Sequence, residues 1–164
     1  MAINNAKELF VLFLSDLREG AERTTKIFQE LSQFAQDPDI KEALDARVFV
    51  SSKILNTLDE CFKITGEKPV KVSGRFHDVF VEDFRRELGE IQSPEARRIF
   101  ILARANRLMH VRIGEYVAAI AAADLTGHYG VGVLLESCLA DKLAFAERTR
   151  RLIREKLRRE LVAA

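Results

Sequence analysis

Apolar positions recur along this chain in alternating steps of three and four, the spacing of a helix face packed against other helices. The first series, Phe10, Leu14, Leu17, Ala21, Thr24, Phe28, Leu31 and Ala35, predicts one long helix. "QDPD" closes it, with Asp37 as N-cap and Pro38 as first residue of the next helix. A second stripe runs from Ile40 through Leu44, Val48, Ser51, Ile54 and Leu58 to Phe62 and stops at "TGEKP", where Gly66 and Pro69 break the pattern. "VKVSGRF" reads as an extended connection, with Ser73 capping a shorter helix from about Gly74 to Glu90 that lies across the others. Ser93, Pro94 and Glu95 start a further long helix through Leu102, Asn106, Met109, Ile113, Tyr116 and Ile120, which "LTGHYGVG" ends. A last helix runs from about Gly130 to Leu161. Two helical hairpins joined by a long crossing segment outline an all-α, ferritin-like four-helix bundle whose long crossover carries an additional short helix. Other helical connectivities fit the same periodicity.

Composition narrows the function classes. The 164 residues, 48% hydrophobic and 31% charged, suit one compact domain over 1–164 with a core of its own. A formal charge of +1 gives no global attraction to nucleic acid or to an anionic membrane. "MAINNAKELF" lacks the features of a secretory signal, and no apolar run approaches the roughly 18 residues of a membrane span, so the chain reads as cytoplasmic with no membrane partner. Cys61 and Cys138, without Cys-x-x-Cys spacing, read as buried small apolar residues. No nucleophile is paired with a base, and no phosphate loop or small-molecule substrate site is legible.

The run "SPEARRIFILARANRLMHVRIGEYVAAIAAADLTGHYGVGVLLESCLADKLAFAERTRRL" resembles the second half of the YciE/YciF-type ferritin-like proteins, and "NAKELFVLFLSDL" and "ILNTLDECFKITGEKP" resemble their first half. The resemblance covers nearly the whole chain; between about Val70 and Ser93 it extends only to a helical crossover. It implies a ferritin-like bundle, a homodimer, and a bacterial stress association without a defined activity. It also implies a di-metal site of core carboxylates and histidines.

This chain departs from that ligand set. Against the family, Ala21 stands at the core glutamate of the first helix, and Glu22 beside it is rotated roughly 100° off the apolar face. Arg47 takes the place of a histidine, Met109 and Arg112 of carboxylates, and Lys142 of a further carboxylate. Only His110 persists. None of His77, His110 and His128 has an acidic residue three positions away, and the one at four, Asp124 before His128, is interrupted by Gly127. Hard cations and iron want carboxylate and imidazole, and Arg47 and Lys142 would repel them. The expectation is a degenerate site with no metal, no cofactor and no catalytic residue. A metalloprotein with unorthodox ligands is the competing class.

Arg47 and Lys142 fall near the centres of their stripes, where an unpaired charge costs several kcal/mol. Three arrangements answer that cost. The stems pack inside while the heads reach solvent; the heads pair with an edge carboxylate such as Asp16, Asp45, Asp124 or Asp141; or they line an anion pocket where the metal would sit. His110, at the margin of its stripe, reads as a core-edge histidine bonded to a neighbouring helix. "ERTRRLIREKLRRE" carries seven basic residues, but Glu147, Glu155 and Glu160 are interspersed, with Glu155 four before Arg159, favouring a solvated, charge-paired face over a nucleic-acid surface. Phe13 and Phe49 stand off the inward stripes and are candidates for a dimer interface.

Overall fold

The structure, a computed structural model, describes residues 3–163, with side chains through residue 158. It consists of five helices: α1 (Ala6–Phe34), α2 (Pro38–Thr65), α3 (Arg75–Glu90), α4 (Pro94–Leu125) and α5 (Tyr129–Ala163). No strand occurs among the described residues. The expected pairing of Glu155 with Arg159 and the placement of Glu160 lie outside the described side chains.

Local chemistry sets the boundaries. Asp37 caps α2 by accepting from the Asp39 and Ile40 amides, with Pro38 behind it, and Ser93 accepts from the Ala96 amide at the start of α4. Each satisfies amides that a helix start leaves without an internal partner. Gly66 ends α2 at φ 69°, a left-handed conformation that glycine adopts without steric cost. One expected cap is corrected. Gly74, at φ 59°, is the N-cap of α3 and has no side-chain cap bond, while Ser73 Oγ only receives the Arg75 amide at 3.4 Å. The left-handed turn at Gly74 carries the Ser73 hydroxyl away from the amides that a capping side chain serves.

The short connections at 35–37 and 126–128 make hairpins of α1 with α2 and of α4 with α5. The hairpins meet α1 against α4 and α2 against α5, and α3 rests across α1 and α4. This is the all-α bundle with one long crossover that the periodicity predicts, the connectivity of ferritin-like folds. The crossover is tied down where it leaves α2: Ser15 Oγ accepts from the Val70 amide at 3.0 Å and Lys7 pairs with Glu67 at 2.7 Å.

Two apolar clusters fill the bundle. One joins Phe10, Leu14 and Leu17 to Leu58, Cys61, Ala119, Val131 and Leu135. The other joins Phe28, Leu31 and Leu44 to Phe84, Leu102, Leu108 and Phe145, with Phe28 and Phe145 edge to face at 5.2 Å. Each large side chain buried in them contributes about 1.5–3 kcal/mol. Cys61 and Cys138 are buried, and burial pushes the Cys61 thiol up to about 12. The clusters are separated at mid-height by a polar layer.

Candidate functional site

Each of the four long helices sends side chains into that layer. Ala21 and Thr24 come from α1, Arg47 and Ser51 from α2, Met109 and Arg112 from α4, and Lys142 from α5. Within a helix the members lie three or four apart, so they share one face. They surround a cavity of about 10 Å³, room for about one water-sized body. Five of the six expected core positions, Ala21, Arg47, Met109, Arg112 and Lys142, therefore meet at one point.

Arg112 is 1% exposed and answered on two sides. It donates from Nη2 to the Leu17 carbonyl at 2.7 Å and forms an ion pair through Nη1 with Glu115, one turn along its own helix. Room for the guanidinium comes from Gly20: a Cβ there would approach Arg112 Cζ to 2.6 Å. Sequence reasoning passed over Gly20, yet its signal was present. A glycine inside a helix costs about 1 kcal/mol against alanine, so one within a periodic stripe marks a close approach. Burial pushes the Glu115 carboxyl up, with Arg112 pulling the other way, and burial likewise raises Asp16 beside it.

Arg47 and Lys142 are as deeply placed, 4% and 2% exposed, so the expectation that their heads reach solvent is corrected. Mid-bundle, the stems run into the layer, and the heads end against rings. Lys142 Nζ sits 3.9 Å from the Tyr116 ring centre, and Arg47 Cζ lies 5.7 Å from that of Phe145. Such contacts are worth about 2 kcal/mol when desolvated, less than the cost of burying a charge. The described residues supply neither head with an ion pair or a hydrogen bond, and Arg47 Nε is buried without a partner. Asp16, Asp45, Asp124 and Asp141 do not pair with them; Asp45 instead binds Ser32 and faces Lys41 at 3.7 Å. Burial, then the neighbouring charges of Arg47 and Arg112, hold the Lys142 ammonium well below the usual lysine range.

His110 is corrected too. It is exposed, and its Nδ1 meets the Asn106 carbonyl of its own helix at 2.9 Å rather than a neighbouring helix. One residue past Met109, it is rotated off the core just as Glu22 is rotated off it beside Ala21. The buried histidine is His77 on α3, 3.5 Å from Thr24 Oγ1 and shifted down to about 4 by burial and by the charges of Arg112 and Arg23. Phe13 is half-buried against the core, while Phe49 is 61% exposed with Lys53 over its ring. In the basic stretch of α5, Arg150 pairs with Glu147 and Arg148 with Glu42. Lys156, not singled out from the sequence, is buried between Asp37 at 2.6 Å and Asp39 at 3.1 Å.

A di-metal centre of the kind the family resemblance implies does not fit these residues. The lining carries cations where such a site needs carboxylates. Among the described residues no group of three or more His, Cys, Asp or Glu side chains is placed to hold a metal ion. No helix among the described residues is long and apolar enough to cross a membrane.

A bundle of this connectivity with a polar layer between facing helices belongs to the ferritin-like class of folds. Residues 5–162 match the family described as "Domain of unknown function (DUF892)", and the chain belongs to that family. Several solved structures share the fold, two of them as follows. "YcfI, a putative structural protein from Rhodopseudomonas palustris" is 24% identical, with a TM-score of 0.86 over 90% of this chain and 94% of that one. The E. coli stress protein YciF is 17% identical, with a TM-score of 0.89 over 95% and 99%. No curated protein matches the chain.

Proposed function

We propose that this chain is a non-catalytic, metal-free member of its family with a structural, stress-associated role in the cytoplasm, working as a homodimer. The observation that carries the reading is the charge of the central layer. Arg47, Arg112 and Lys142 meet where a metal site would need carboxylates, and among the described residues only Arg112 of the three has a carboxylate partner. A divalent cation placed there would face the unanswered Arg47 guanidinium, with Lys142 beside it, in a low-dielectric interior, where Coulomb repulsion is several times its value in water. The descriptions of YcfI as a structural protein and YciF as a stress protein support the role assigned. Exposure of Phe49 supports an apolar contact between copies.

Elemental analysis of protein purified without added metal tests the reading. Iron, manganese and zinc each far below one equivalent are expected; one or two equivalents would overturn it. Light scattering tests the assembly: a dimer mass is expected, shifted toward monomer in Phe49→Ser.

A further inference from the structure

Every polar side chain in the wall of the central cavity can donate a hydrogen bond. Arg47 and Ser51 face it from α2, Arg112 from α4 and Lys142 from α5, with Ala21 and Met109 completing much of the lining. Guanidinium and ammonium groups donate and never accept. The Nε–H groups of Arg47 and Arg112 and the Ser51 hydroxyl are buried without a hydrogen-bond partner, and the Lys142 ammonium has none among the described residues. Glu115 answers Arg112. Nothing comparable among the described residues answers Arg47 or Lys142.

We propose that one chloride-sized monovalent anion occupies this cavity, held by Arg47, Ser51 and Lys142 and linking the two helical hairpins through α2 and α5. The inference rests on the metal-free reading above, because a divalent cation and an anion need opposite walls. Size limits the ligand: about 10 Å³ is the lower bound for one water-sized body, which leaves no room for the four oxygens of phosphate or sulfate, and a chloride, somewhat larger than water, is seated by a small relaxation of the wall. A water molecule also fits, but its two protons need acceptors, and the lining offers chiefly the Ser51 and Thr24 hydroxyls. Water also leaves the positive charge standing. An anion accepts from every donor in the wall and lowers the cost of the buried charges at once. Of the halides, chloride and bromide give up hydration more readily than fluoride, which suits a dry interior.

Thermal unfolding of the full chain at constant ionic strength, with sodium gluconate replaced stepwise by sodium chloride, tests the proposal. The wild-type midpoint is expected to rise by about 3–5 °C for each tenfold increase in chloride above its dissociation constant. Bromide should act alike, and Lys142→Met should give a flat line. Crystals grown in bromide should carry an anomalous peak in the cavity, a readout that does not depend on the variant folding. A wild-type midpoint indifferent to chloride, an equal slope in Lys142→Met, or bromide crystals without a peak between Arg47 and Lys142 would each overturn the anion site. Stoichiometric metal removes this inference and the metal-free reading together. Metal-free protein indifferent to halide removes the anion alone.

Discussion

Lys142 and Lys156 lie about four turns apart on one side of α5, and both are buried, yet their surroundings are opposite. Lys156 reaches the start of α2, where Asp37 and Asp39 stand at the helix N-terminus. Burial pulls its pKa down, but the bonds to the two carboxylates outweigh that and leave it raised. Lys142 meets the middle of α2 and finds Arg47 there, and its pKa falls. Residue type and helix are shared, but Lys142 sits deep in the bundle and Lys156 near its end, and the facing helix presents opposite charge at the two heights. The end of the bundle is closed by a completed ion pair. The centre keeps positive charge that the described residues do not answer, and on that charge rest both the metal-free reading and the proposed anion.

The contrast between answered and unanswered cations can be broken at several points. The largest effect is expected from Arg112→Ala, which strips Glu115 of its partner and opens the layer; denaturant unfolding should show a loss of about 3–5 kcal/mol. Lys156→Met should come next, losing about 2 kcal/mol by the same measurement, since the half-buried Asp37 loses its cation. Gly20→Ala should lose about 1–2 kcal/mol although alanine is the better helix former, because its Cβ displaces the Arg112 guanidinium. In an Arg112→Met background the same change should stabilise by up to about 1 kcal/mol, and a double-mutant cycle would expose that reversal of sign.

An effect of comparable size to that of Gly20→Ala is a pH dependence from His77. Folded, it titrates near 4; unfolded, near its ordinary 6.5. Between those values the unfolded chain binds a proton that the folded chain does not, so stability falls as pH drops through the window. The loss is on the order of 1–2 kcal/mol after screening by solvent. Comparing wild type with His77→Gln from pH 7 to pH 4 should show the shallower fall in the variant.

Much of the fold was legible because its signals are local. Asp37 with Pro38, Ser93 with Pro94, and Gly66 each act within a turn of the residue concerned, and all three ends fall where the sequence puts them. Met109 was legible on its stripe and Arg47 and Lys142 near the centres of theirs, since a stripe in a bundle faces the centre; Arg112 lies off the stripe and was marked by the family resemblance alone. His110 failed on a single step of about 100° around the helix, which family likeness masked and geometry does not forgive. The fate of the cationic heads was not legible, because it depends on where one helix stands in height against another. Lys156 finds Asp37 across 119 residues of sequence, and no periodicity encodes that register. The burial of His77 likewise depends on how the crossover helix settles over Thr24.

Lys142 is the residue at which the unanswered central charge can be measured. The unfolding free energy of Lys142→Met against wild type, both metal-free and in gluconate without halide, measures whether that charge is uncompensated. Replacing an unanswered buried cation by an apolar side chain of similar length should stabilise the protein, by about 1–4 kcal/mol. A loss of about 3–5 kcal/mol would mean that Lys142 completes a buried pair, and would contradict the account.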